Sequence, residues 1–340
     1  MKHRHHLSPG SIKLRFALLV AVLVVAALGL AAVGRWLDQR EELPEATGDY
    51  RQRLRYEALI EVDGVTYRPR RRVTTILLMG IDRDSEPVTE RVSYRRGGQA
   101  DFLRLLVIDS ERKQLSQIQI DRDTVTPITV LGVLGQVSGV RPAQIALAHA
   151  FGDGGAQSCE LTVEAVSKLL LGIEIDYYAA MNMDGISVLN DAVGGVTVTI
   201  ADDFSAVDSA MVPGATLRLT GEQAVTFVRS RQSIGDGTNQ SRMARQQVFV
   251  TSLMNEIERR QNERSSFIET LYDVLSPHLV TNLSKGQMIN EGWFASAYEH
   301  LPTRSLEGTR EIGSNGYVAF TPDEAALQNL VLELFYEKVQ

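Results

Sequence analysis

Four arginines crowd one short stretch of this chain. Arg229 and Arg231 close the segment FVRSR, and Arg242 and Arg245 follow a Gly-Asp-Gly-Thr-Asn loop, so all four lie within seventeen residues. The second pair belongs to a helix, because Met243, Val250, Met254 and Ile257 recur at helical spacing. On it Arg242, Arg245 and Gln246 stand at i, i+3 and i+4 and share a face. The first pair ends a helix opened by Thr220-Gly221-Glu222-Gln223, a capping box in which the threonine and glutamine side chains satisfy each other's backbone donors. Guanidinium forks bind phosphate oxygens bidentately, so arginines brought together by the loop suit a multiply charged ligand such as a pyrophosphate. The competing reading is a solvated basic helix face.

A second set of chemical groups stands at the ends of apolar runs. Asp82 and Asp84 follow VTTILLM, Asp101 precedes Phe102 to Ile108, and Arg122 with Asp123 follows Leu115 to Ile120. Ligands of open α/β sheets sit beyond strand ends. Carboxylates there suit a magnesium ion shared with phosphate oxygens, and equally suit turn capping or pairing with arginine. His149, in the glycine-rich run ALAHAFGDGG, is open to two readings, a phosphate contact or a packing histidine. The lone Cys159, in SCELTVEAVSKLL, cannot form an internal disulfide and reads as a packing residue at a helix start. No Walker-type phosphate loop and no Cys/His cluster with zinc spacing occurs.

These residues need a scaffold. Val73 to Met79 is a continuous, β-branched apolar run that suits a strand buried on both faces. Phe102–Ile108 and Leu115–Ile120 form a strand pair around the turn 109–114, and downstream a helix (162–171), strand (177–181), helix (186–192) and strand (195–200) alternate. Alternation predicts an α/β domain with a central sheet flanked by helices on both faces, and the early hairpin makes that sheet mixed. The tail after Arg264 reads as scaffold, with helices over 267–275 and 322–336; Trp293, Phe294 and Tyr298 suit a core better than a sugar-binding rim.

The amino terminus sets the compartment. Lys2, Arg4, Lys13 and Arg15 precede an uncharged run from Phe16 to Gly34, whose nineteen residues just span a bilayer core of roughly 30 Å. Positive charge before the run places residues 1–15 in the cytoplasm, 16–34 in the membrane and the rest outside, a single-pass type II arrangement. No small-x-small cleavage pattern follows, which separates the run from a cleaved signal peptide. Residues 35–72 read as a stalk with a hairpin around Asp63-Gly64, and 73–340 as one large domain. The net charge of −7 gives no global basic field for nucleic acid, and an extracytoplasmic site, where nucleoside triphosphates are scarce, argues against a kinase or ATPase.

Together these motifs resemble the LytR-CpsA-Psr family. The resemblance rests on the amino-terminal anchor, Leu78-Met79-Gly80-Ile81-Asp82, Ala100-Asp101, Gln119-Ile120-Asp121-Arg122-Asp123-Thr124, Ala146 to Gly155, Asp191 to Val196, and Arg229-x-Arg231 followed by Arg242-x-x-Arg245-Gln246, in the expected order over about residues 73–260. It implies a Gram-positive cell-wall ligase, transferring an anionic glycopolymer such as a teichoic acid or capsule from undecaprenyl pyrophosphate to the 6-hydroxyl of peptidoglycan N-acetylmuramic acid. It also implies Mg2+, a long hydrophobic lipid pocket, Asp82 and Asp101 as catalytic, magnesium-associated carboxylates, and Arg122 as the central pyrophosphate contact. Arg229, Arg231, Arg242, Arg245 and Gln246 complete that cradle.

Several positions depart from the family pattern. Gln99 stands where the family usually has arginine, leaving Arg95 or Arg96 as substitutes, and Asp121 stands where it has proline. Asn239 replaces the usual acid upstream of Arg242, so Asp236 in the Gly-Thr-Asn loop variant is the expected source of that carboxylate. Asp123 and His149 are secondary candidates. A lipid-pyrophosphate hydrolase and a non-catalytic receptor for wall precursors are the alternative functions.

Overall fold

The computed structural model describes residues 59–83, 97–132, 135–231, 234–313 and 316–339. The basic tail, the 16–34 span, most of the stalk, Asp84, Arg95 and Arg96 lie outside the described residues, as do the side chains of Trp293 and Phe294. Among the described residues no helix is long and apolar enough to cross a membrane.

The chain divides into two compact units, a small one of residues 1–69 and 338–340 and a large one, Arg70–Glu337. The described part of the small unit holds the hairpin of β1 (Ile60–Val62) and β2 (Val65–Pro69). Its two-residue turn puts Asp63 at φ 52° and Gly64 at φ 74°, the left-handed pair that an Asp-Gly hairpin turn requires.

The large unit is built on a seven-stranded sheet. Its strands β3 (Val73–Asp82), β4 (Gln99–Asp109) and β5 (Gln114–Ile120) run antiparallel in succession. A hairpin of β6 (Val125–Leu131) and β7 (Val137–Gln144) follows, then the helices α1 (Leu147–Ala150) and α2 (Ala156–Leu169). β8 (Tyr177–Asn182) joins the sheet parallel to β3 and leads into α3 (Met183–Ala192). The expected strand over 195–200 is shorter, β9 (Thr197–Thr199), and pairs with β10 (Thr216–Arg218) outside the main sheet.

α4 (Gly221–Arg229) starts at the Thr220 capping box with both of its hydrogen bonds, and α5 (Asn239–Glu263) and α6 (Phe267–Leu275) follow. β11 (Leu279–Thr281), α7 (Lys285–Ala297), β12 (Glu299–His300) and β13 (Arg304–Ser305) return to the sheet, whose order is β11-β8-β3-β4-β5-β12, with β13 also on β5. A last hairpin, β14 (Gly308–Ile312) and β15 (Val318–Pro322), precedes α8 (Glu324–Phe335).

Alternating side chains divide the sheet into two buried faces. Leu77, Met79, Leu103, Leu105, Val107 and Ile118 pack with α2 and α8 into one core. Ile76, Ile108 and Leu115 face the other way, toward Met254 of α5 and Met288 of α7. Helices therefore cover both faces of a mixed sheet, as the alternation predicts. β3 and β8, being parallel, end at one edge, where β4 begins and β5 ends, so Asp82, Asp101 and the Asp121-Arg122-Asp123 run meet there.

Candidate functional site

A β-bulge aims the first carboxylate. Gly80 pairs with Phe102 and Ile81 with Ala100, so Asp101 is the extra residue on β4 with no partner opposite. Bulges re-aim side chains in this way. Gly80 permits it, since a Cβ there would sit 3.0 Å from the Cβ of Phe102.

Asp101 holds two arginines from distant parts of the chain. One oxygen accepts from Arg122 Nη1, and the other from Arg242 Nη1 at 2.9 Å. Arg122 Nη2 donates to Gln99 Oε1, and its Nε stands 3.5 Å from Asp123. Arg242 Nη2 donates to Asn239 Oδ1 (2.7 Å), whose own amide nitrogen donates to Asp121 Oδ1 (2.7 Å). The ring Arg122–Asp101–Arg242–Asn239–Asp121 thus closes through the backbone between Asp121 and Arg122. Arg310 of β14 completes it from outside, donating to Asp121 Oδ2 at 2.6 Å while its guanidinium lies over Phe320. Nothing in the sequence marks Arg310, which lies in the tail read as scaffold.

Burial decides how these charges behave. Asp123 is pushed above the usual carboxylate range first by desolvation and then by Asp121, against the pull of Arg122, Arg231 and Arg242. Desolvation likewise lowers Arg242, with Asp101 opposing it. Arg231 is exposed at the rim, and Arg229 pairs with Asp82 at 3.1 Å, both side chains nearly half exposed. Such an exposed pair on its own is worth little.

Other expected contacts have different work. Arg245 is buried and spends its guanidinium on Asp202 (2.6 Å), on the carbonyls of Phe227 and Ser230, and on the ring face of Phe204. Gln246 donates to Val228 O at 3.2 Å. Both therefore hold the carboxyl end of α4 against α5, and neither meets the arginine ring; their reading as pyrophosphate contacts gives way to a positioning one.

Asp236 does not replace the missing acid either. It accepts from the Ser241 and Thr238 hydroxyls and Thr238 N–H at the start of α5, which hold it down to about 2. The carboxylate that faces Asn239 is Asp121. His149 is only 1 % exposed, with Nδ1 3.1 Å from Gly98 O, and burial keeps its pKa low, so it is a packing group rather than a phosphate contact. Cys159 is fully buried and pushed up to about 12, the state of an inert packing thiol.

Beyond the ring, on the same side of the sheet, lies an apolar cavity of about 220 Å³. β4 contributes Leu106 and Ile108, α5 contributes Met254 and Ile257, and α6 contributes Leu271 and Leu275. The tail therefore builds a cavity wall as well as scaffold. Among the described residues no three His, Cys, Asp or Glu side chains converge as a metal cage.

Known proteins resemble this chain in sequence and fold. The polyisoprenyl-teichoic acid–peptidoglycan teichoic acid transferase TagU of Bacillus subtilis (strain 168) is 25% identical over 264 residues, 76% of each chain. A solved protein from Streptococcus agalactiae superposes with a TM-score of 0.63 at 25% identity, over 77% of this chain and 87% of that one. Bacillus subtilis TagV, at 23% identity over 77% and 96% with a TM-score of 0.60, shares the fold. The model of the LytR_cpsA_psr family matches residues 46–335, and with the motifs in order along the sheet edge, the chain belongs to that family.

Proposed function

We propose that this protein is a membrane-anchored phosphotransferase that moves an anionic glycopolymer from undecaprenyl pyrophosphate to a peptidoglycan hydroxyl, the 6-hydroxyl of N-acetylmuramic acid. One observation carries the reading: a ring of arginines and carboxylates closes over one end of the sheet face whose other end opens into an apolar cavity, a site shaped for a charged head on a hydrocarbon tail. TagU, whose name describes transfer of teichoic acid from polyisoprenyl carrier to peptidoglycan, supports it.

The acceptor hydroxyl oxygen attacks the polymer-bearing phosphorus, the bridging P–O bond breaks, and lipid monophosphate leaves with the electron pair. Arg122 and Arg242, anchored by Asp101, neutralise the non-bridging oxygens, and Arg229 and Arg231 reach them from the rim. Asp82, the most accessible carboxylate of the edge, takes the hydroxyl proton, a role worth roughly a hundred- to ten-thousandfold. Asp82 and Asp101, hard oxygen donors from adjacent strands, would hold a magnesium ion, which would add charge neutralisation at the pyrophosphate. The pyrophosphate bond supplies the energy, in keeping with residues 16–34 as a type II anchor, residues 35–72 as a stalk and an extracytoplasmic domain from residue 73.

The test incubates the full-length chain in detergent with labelled lipid-linked polymer, peptidoglycan and magnesium. Label in peptidoglycan, lost on chelation, is the expected result. Label released as free polymer phosphate would make the protein a hydrolase, and binding without turnover a receptor.

A further inference from the structure

Arg104 is the largest fully buried side chain among the described residues, and it has no carboxylate partner among them. Its guanidinium is held by three glutamine oxygens, Gln117 at 3.2 Å and Gln119 at 3.1 Å from β5 and Gln247 at 2.6 Å from α5. Its Nε–H, also buried, has no partner, and the group lies 5.2 Å over the Phe102 ring. Neutral amides leave a full positive charge in the interior, and burial alone drives the guanidinium down to about 10 with nothing opposing it. An unpaired buried cation is among the costliest arrangements a fold retains.

Its place is informative. Along β4 and α5, Asp101 meets Arg242 first, Arg104 meets Gln247 next, and Leu106 and Ile108 face Met254 across the apolar cavity beyond. Arg104, Leu106 and Ile108 alternate along one strand and share that face. The cation sits between the head-group ring and the tail cavity, at the junction of any lipid phosphate lying along the face.

Resting on the function proposed above, we propose that Arg104 is a binding subsite for the lipid-proximal phosphate, the phosphate that stays on the hydrocarbon after transfer. Gln247 Oε1 marks the position a phosphate oxygen takes. The Gln247 amide, tethered through Nε2 to Thr303 at 3.0 Å and Thr251 at 3.2 Å, swings aside to admit it. The fork then offsets the charge that grows on the lipid phosphate as the bridging bond breaks.

The full-length protein in detergent micelles is titrated with geranylgeranyl phosphate, geranylgeraniol and inorganic phosphate. In Arg104→Met, affinity for geranylgeranyl phosphate falls at least tenfold while geranylgeraniol binds as before, and the melting temperature holds or rises because a costly cation has gone. Gln247→Leu, which removes the competing amide, shifts affinity the other way. Equal affinity of Arg104→Met and the parent for geranylgeranyl phosphate, or an unchanged affinity in Gln247→Leu, overturns the subsite. A loss confined to inorganic phosphate also overturns it by assigning the cation to a free anion. If the parent protein binds none of the lipid phosphates, the function proposed above falls with it.

Discussion

Arg122 engages Asp101, Gln99 and Asp123 at once, and it follows directly on the buried Asp121. A group so placed cannot be replaced by charge alone. Arg122→Ala is expected to cost roughly 10² to 10³ in turnover, the scale of losing one positioned donor to a developing oxyanion, and Arg122→Lys recovers little because the fork is lost. Transfer assays on protein with unchanged circular dichroism measure both; near-parental turnover in folded Arg122→Ala removes the site. Asp123 gives a pH signature. Its folded pKa lies above the unfolded value, so ionising it at neutral pH weakens the fold. Asp123→Asn should therefore be the more stable protein at pH 7. The advantage shrinks as pH falls through the raised value and vanishes below the ordinary aspartate range near 3.8, where both states are protonated; thermal melts from pH 3 to 8 follow it. A constant difference across that range would assign the effect to packing.

The elements that carry these side chains were legible to unequal degrees. Apolar runs betray buried strands, and β3, β4, β5 and β8 appear where the runs place them, because strands covered on both faces are built mainly from apolar residues. The capping box of Thr220 and the helical period after Asn239 likewise locate α4 and α5. Strands β7 and β14 escaped notice because they are largely exposed, with no apolar alternation to mark them. The site divides in the same way. Strand-end residues such as Asp101 and Arg122 follow from element boundaries, whereas Arg310 and Arg104 depend on contacts across 189 and 143 residues that no local pattern encodes.

Helical spacing also misled. Arg242 and Arg245 share a broad face, but a three-residue step turns one toward β4 and the other toward α4. Breaking the Arg245 pair should accordingly act on the fold. Arg245→Ala is expected to lose roughly 3 kcal/mol, the lower end for a buried pair because Asp202 is partly exposed. Chemical denaturation measures it, and a stable Arg245→Ala protein with selectively weakened pyrophosphate binding would restore its role as a ligand contact.

At the scale of the whole molecule, one sheet face joins a polar end to an apolar one. Ala179 of β8 lines the cavity. Ala179→Phe should fill it, weakening long-chain polyprenyl pyrophosphates by about tenfold, the scale of one or two lost methylene contacts, while inorganic pyrophosphate binds unchanged. Calorimetric titration with both ligands separates the effects, and parallel losses would place the tail elsewhere. The closed arginine–carboxylate ring has a consequence for how the site meets free ions. Its guanidinium groups already have partners, so a simple anion gains little by displacing a carboxylate that binds as well as it does. Only a ligand that brings a second source of affinity, a hydrocarbon chain beside the charge, shifts the exchange in its favour. A ring of this kind favours charge and hydrocarbon presented together over either alone.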